Sequence, residues 1–189
     1  MPETAPRTQS SSVAPTAASQ NAGAAIPTPQ SSHPANTHPE KCKAADLSAS
    51  LGDKQGYDDS TGTFTRLLIL TNTSGRVCTI ESYPGVSYVS GPNSSGSQIG
   101  ASAFRPGGTR KQYTVHKGQE VSATVGFADV SRLEPATCQP TPVWGLRVIP
   151  PDDTESLYLP FTEFKGCAND KMPGHQLTVG MVDSGPGDN

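Results

Sequence analysis

The sequence predicts an all-β domain, a sandwich or barrel of short strands, and three observations predict it. Apolar residues recur with a period of two. Turn-forming clusters separate the apolar runs at short intervals. No stretch carries a helical stripe capped at both ends. About eight strands are expected, with boundaries set only to within a few residues.

The elements follow in order. Leu47, Ala49 and Leu51 alternate with Asp46, Ser48 and Ser50, an opening strand with one face in the core. The run "FTRLLILTN" departs from alternation: Leu67 and Ile69 point one way, Phe64, Leu68 and Leu70 the other. It is therefore expected at the centre of the sandwich, with its outer face partly covered. Val121, Ala123, Val125 and Phe127 alternate with Ser122, Thr124 and Gly126. Trp144, Leu146 and Val148 alternate with Gly145 and Arg147. Leu157, Leu159 and Phe161 follow, and then Leu177, Val179 and Met181, with Gln176 and Thr178 expected to face water. Between these runs stand "TSG", "YPG", "SGPNSSG", "RPGG", "HKGQ", "PPDD" and "MPGH". Each supplies the Gly, Pro, Asn or Asp that tight turns require.

This strand-rich region covers residues 42–183. Residues 1–41 are of another kind: 26 are Ala, Pro, Ser or Thr, the larger aliphatic side chains are Met1, Val13 and Ile26, and no aromatic precedes Tyr57. Such a segment cannot bury enough apolar surface to offset its ordering entropy, so a disordered spacer is expected. Residues 184–189 are expected to be a flexible tail. The formal net charge is -3, and no basic stripe interleaved with aromatics offers a footprint for nucleic acid. No apolar run approaches the roughly 20 residues that span a bilayer. No n-region and h-region of a signal peptide is present.

Cys42, Cys78, Cys138 and Cys167 form an even set with long spacings and no C-x-x-C, a poor zinc pattern and a fair disulfide framework. Strand order selects one of the three pairings. Cys42 precedes the first strand and Cys78 follows the second, so an antiparallel pair puts both at one end of a sheet. Cys138 and Cys167 precede two strands that are expected to be neighbours. The predicted bridges are Cys42–Cys78 and Cys138–Cys167, each adding about 3–4 kcal/mol in the chain-entropy model. A disulfide framework implies an oxidising compartment. The expectation is an extracytoplasmic protein, secreted or associated with the cell envelope, whose signal has been removed.

The run "LLILTNTSGRVCTIESYPGV", with "KCKAADLSASLG", "TVHKGQEVSATVGFAD", "ATCQPTPVWGLRVIPPDDTESLYL" and "FKGCANDKMPGHQLTV", resembles the actinobacterial secreted domain of unknown function numbered 4232. The likeness spans Cys42 to about Val182. It departs at His116-Lys117, where a proline is common. The resemblance implies an immunoglobulin-like antiparallel β-sandwich behind a Ser/Thr/Pro/Ala-rich spacer, with no catalytic residues and no cofactor to carry over. It also implies that any contact with a membrane runs through a lipid anchor upstream of Pro2.

Candidate chemistry is sparse. No G-x-S-x-G is present, and His116 and His175 fall in a turn and at a strand start, so no enzyme is expected. Two groups carry copper-type ligands: His33, His38, Glu40 and Cys42, and Met172, His175 and Met181. The acidic pairs Asp58-Asp59 and Asp152-Asp153, with Glu155, lack the spacing of a calcium loop and read as solvated turns. Asn72 and Asn93 head glycosylation sequons that an actinobacterial source would not use. The longest irregular stretch, residues 90–108, carries Asn93, Phe104 and Arg105, residue types suited to an interface. Its other fate is a mobile loop with Phe104 packed on the core. The expected function is a non-enzymatic binding module for an envelope protein or glycan, or alternatively an exported copper or small-ligand carrier using Met172 and His175.

Overall fold

The computed structural model describes residues 38–185. The expectations for residues 1–37 and 186–189, which include most of the spacer, His33 and the end of the tail, lie outside the described residues.

A 3-10 turn at Ala44–Asp46 leads into β1 (Leu47–Asp58), and a hairpin returns the chain as β2 (Thr63–Asn72). Three short strands follow, β3 (Cys78–Ile80), β4 (Gly85–Val89) and β5 (Gln98–Ile99). After β6 (Tyr113–Val115) comes the long β7 (Glu120–Ala128). A 3-10 turn at Val130–Arg132 and the single-turn helix α1 (Pro135–Cys138) precede β8 (Pro140–Pro142). The remainder is β9 (Gly145–Ile149), β10 (Leu157–Pro160), β11 (Lys165–Cys167), β12 (Leu177–Val179) and β13 (Asp183–Ser184). The strands beyond the expected eight are two- and three-residue ladders, too brief to show a period.

All the ladders are antiparallel. One sheet has the order β1-β2-β7-β12, with β13 also on β7; the other has the order β10-β9-β4-β5. β3 with β6 and β8 with β11 form separate ladders. The outer neighbour of β7 is thus β12, from the C-terminal end. The constant-type immunoglobulin order places the preceding strand there.

The inner faces of the two sheets share one core. Leu68, Val125 and Phe127 come from the first sheet and Tyr88, Leu146 and Val148 from the second, all fully buried. Aromatic rings bridge the layers: Phe127 lies 5.2 Å from Phe64 and 5.1 Å from Phe161, which in turn faces Tyr88 at 6.2 Å. Such offset pairs add to the area they bury. β2 sits between β1 and β7, with Phe64, Leu68 and Leu70 in the core and, on the other side, Leu67 buried and Ile69 partly covered. Its two greasy faces follow from that central place.

The sequence misplaces several side chains, among them Asp46 and Ser122, which alternation set on the water side and which are buried. Leu146 and Val148 are buried, but Trp144, expected beside them, is 52% exposed. It stands just before β9, where the alternation breaks because Val143 turns inward and the Tyr158 ring occupies the space a Cβ on Gly145 would need. Gln176, expected to face water, is buried. It precedes β12, so the strand period does not set its direction. Its Nε2 donates to the carbonyls of Ile99 at 2.9 Å and Ala101 at 3.1 Å, and its Oε1 accepts from the Cys167 N–H at 2.7 Å.

The disulfides join Cys42 to Cys78 and Cys138 to Cys167. The second bridge has a different basis from the one strand order suggested. β9 and β12 belong to different sheets, and the two cysteines meet because β8 pairs with β11, Pro140 opposite Cys167.

Candidate functional site

An exposed aromatic and several cations lie along the outer edge of the first sheet, where Phe104 bridges β12 and the chain runs on toward β13. Ala103 donates its N–H to the Val86 carbonyl and is buried. Alternation then turns Phe104 outward. The Phe104 N–H donates to the Leu177 carbonyl and its own carbonyl accepts from the Val179 N–H, both at 2.9 Å, a parallel bridge to Thr178. The ring stands 45% exposed and lies flat on the His175 imidazole, centroids 4.0 Å apart and planes 6° from parallel.

Beyond Phe104 the strap has further attachments. The Tyr83 hydroxyl donates to the Pro106 carbonyl. At Gly108 a Cβ would stand 3.3 Å from the Met181 methyl, so the chain passes close over that side chain. The Tyr113 hydroxyl donates to Asp183 Oδ1 at 2.6 Å, and the Lys111 ammonium lies over the Tyr113 ring at 5.0 Å. Arg105, Arg110 and Lys111 are exposed along this strap.

The structure brings together two residues that the sequence assigns to different roles, Phe104 to the loop and His175 to a metal pair. Met172, the other member of that pair, packs with Leu133 against Val130 and the Cys138–Cys167 bridge, while His175 stacks on Phe104. The other copper group is also divided, for Cys42 is in a disulfide and Glu40 lies 3.5 Å from the Arg76 guanidinium. Among the described residues no group of three or more His, Cys, Asp or Glu is poised around a common centre.

Asn93 sits in the β4–β5 hairpin, apart from Phe104. Its Oδ1 accepts from the Ser95 N–H at 3.0 Å and from its hydroxyl at 2.6 Å, closing an Asx turn. Arg147 of β9 holds this hairpin down, donating Nε to the Ser94 carbonyl at 2.7 Å and Nη2 to the Gly96 carbonyl at 2.5 Å. The acidic pairs cap turns as well. Asp58 accepts from the Ser60 N–H and hydroxyl, and Asp153 from the N–H groups of Ala44 and Thr154.

The motif "TNTSGRVC" turns out to be structural. Asn72 is fully buried; its Nδ2 donates to the carbonyls of Arg76 and Val115, both at 2.9 Å, and its Oδ1 accepts from the Ser74 N–H and hydroxyl. Asn72 continues the inward register of Phe64, Leu68 and Leu70, and that parity is the signal by which the sequence marks it as an internal polar residue. The Arg76 guanidinium grips Asp46, and this hydrogen bond holds the Asp46 carboxyl below the usual carboxylate value. The Tyr88 hydroxyl has no partner among the described residues, and burial pushes its pKa up.

Fold and site together define a class: a disulfide-linked, mostly β domain with an exposed aromatic edge and, among the described residues, no group of three or more His, Cys, Asp or Glu that could hold a metal ion. Residues 42–183 match the family model described as Domain of unknown function (DUF4232), and the chain belongs to that family. No curated protein and no solved structure matches the chain. No helix among the described residues is long and apolar enough to cross a membrane.

Proposed function

We propose that this is an exported, non-enzymatic binding module of the cell envelope, recognising a protein or glycan through the sheet edge that carries Phe104, Arg105 and His175. The observation that carries the reading is the Phe104–His175 stack. An aromatic ring half in water is fixed by backbone bonds on both sides of its own peptide unit and by an imidazole beneath it. A pre-ordered aromatic loses little conformational entropy on binding, and such side chains anchor interfaces. The two disulfides support export, since they persist in oxidising compartments. The copper-carrier alternative has no comparable support, because Met172 and His175 engage different neighbours.

The test is capture by cross-linking. Oxidised full-length chain, wild type and Phe104→Ala/His175→Ala, is cross-linked to an envelope extract, with reduced and alkylated chain as control. One protein or glycan species enriched by wild type and lost from the double variant is the expected result. Equal capture by both forms rejects this edge. No enrichment over the reduced control rejects the binding-module reading itself.

A further inference from the structure

The same edge carries the greater part of the positive charge that the fold leaves unused. Of the described Lys and Arg side chains, Lys41, Lys43, Lys54, Arg66 and Arg76 are ion-paired. Arg132 and Arg147 donate to backbone carbonyls. Six others make no close ion pair and donate to no carbonyl among the described residues, and four of these, Arg105, Arg110, Lys111 and Lys117, are exposed along residues 105–117, a stretch interrupted by half-buried Tyr113 and buried Val115. The acids beside that stretch have closer partners, although Glu81 also feels the Arg110 charge and Asp183 that of Lys111. Glu81 takes the Lys41 ammonium at 2.6 Å, Asp183 takes the Tyr113 hydroxyl and the Ser184 N–H, and Glu120 accepts from the Thr71 hydroxyl. The chain as a whole carries a formal charge of -3, so this grouping of cations into a strip runs against its overall balance.

Resting on the reading of this edge as a recognition surface, we infer that its ligand is an acidic polysaccharide, one whose sugar rings carry carboxylates. The extended strap from Phe104 to Lys111 covers on the order of 20 Å. It presents a flat ring at one end and cations along its length. An exposed ring face suits the C–H face of a sugar, and guanidinium and ammonium groups pair with carboxylates. A neutral glycan would leave the cations unused; a lipid surface would have no need of a single aromatic stacked parallel to an imidazole.

The probe is polygalacturonate, with its fully methyl-esterified form as the uncharged counterpart and phosphatidylglycerol vesicles as the lipid arm, titrated against the full-length oxidised chain. Arg110→Glu/Lys111→Glu removes the strip. Lys165→Glu/Lys171→Glu makes the same change in net charge at the two unpaired cations outside it. The inference expects polygalacturonate to bind, to weaken at least tenfold in the strip variant and less than twofold in the control, and to dissociate in about 0.5 M salt through screening. It also expects the methyl ester to bind at least tenfold more weakly. Equal weakening in the two variants overturns the inference, because only bulk charge is then being read. Tighter binding to vesicles than to polygalacturonate overturns it in favour of a lipid surface. Binding of the ester as tightly as the acid, or of neither polymer while Phe104-dependent capture from an envelope extract persists, overturns the acidic ligand and leaves the recognition edge standing. Failure of both polymers and of that capture rejects both.

Discussion

The Asp46 carboxylate and the Arg76 guanidinium lock together at the start of β1, Nε donating to Oδ1 at 2.8 Å. The same guanidinium donates to the Lys41 carbonyl at 2.9 Å, while Asp46 Oδ2 accepts from the Lys43 N–H at 2.8 Å. One ion pair thus ties the incoming chain, the first 3-10 turn and the loop after β2, beside the Cys42–Cys78 bridge.

Stability should therefore depend on acid in a defined direction. The Arg76 hydrogen bond depresses the folded-state pKa of Asp46. The stabilisation is complete above the unfolded-state value of about 3.9 and is lost as pH falls through the lower folded value. Asp46→Asn is expected to cost about 2 kcal/mol at neutral pH, and the gap to wild type should close on acidification. Urea melts at a series of pH values measure it; a gap unchanged far below that range would show that the ion pair contributes nothing.

Asn72→Ala should be more damaging. It leaves the Arg76 and Val115 carbonyls and the Ser74 N–H without their buried partner, at a cost of about 3 kcal/mol. Thermal unfolding of the oxidised protein would show the loss, and a variant within experimental error of wild type would show that water replaces the amide.

Two glycines with similar backbone angles should respond very differently to alanine. Gly100 has φ +64, and a Cβ there would lie 2.0 Å from the Cys167 carbonyl oxygen. Gly118 has φ +78 with nothing within 4 Å. Gly118→Ala should cost about 1 kcal/mol for the left-handed backbone alone, whereas Gly100→Ala should cost more than about 3 kcal/mol or abolish folding. Denaturant midpoints of the pair decide it, and equal losses would mean that the β5 turn yields easily.

Removing the bridges one at a time should expose their separate contributions. The loops they close are similar, with sequence separations of 36 and 29 residues. Cys42→Ser/Cys78→Ser and Cys138→Ser/Cys167→Ser should therefore each lose about 4 kcal/mol in the chain-entropy model. Calorimetry of the two double variants tests this, and a large inequality would mean that local packing, not loop closure, sets their effect.

Phe104→Ala should leave the fold nearly intact. The ring is half exposed and the strap is held through its backbone, so the change should cost less than about 1 kcal/mol. A much larger loss in a thermal melt would mark the Phe104–His175 stack as part of the core.

The strand pattern was legible where one face of a strand meets water, as along β1. That is why β2, with two covered faces, announced its central place, and why Leu146 and Val148 could be assigned inward. The period stops carrying information where a strand stops, and Trp144 and Gln176 both stand one residue outside one. The Cys42–Cys78 pairing followed from a single hairpin. The basis of Cys138–Cys167 did not, because the three-residue β8 and β11 are too short to show an alternation. The candidate edge was half legible: Phe104 and Arg105 stood out by type, but their distance from His175 along the chain is closed by a parallel bridge that leaves no local mark.

The Cys42–Cys78 bond also determines how the domain bears mechanical load. β1 and β2 lie wholly within the covalent loop between the two cysteines. A pull on the chain ahead of Lys41 passes through sulfur into β3 and goes around the outermost strand. β1, which would otherwise unzip from β2 one rung at a time, carries none of that tension.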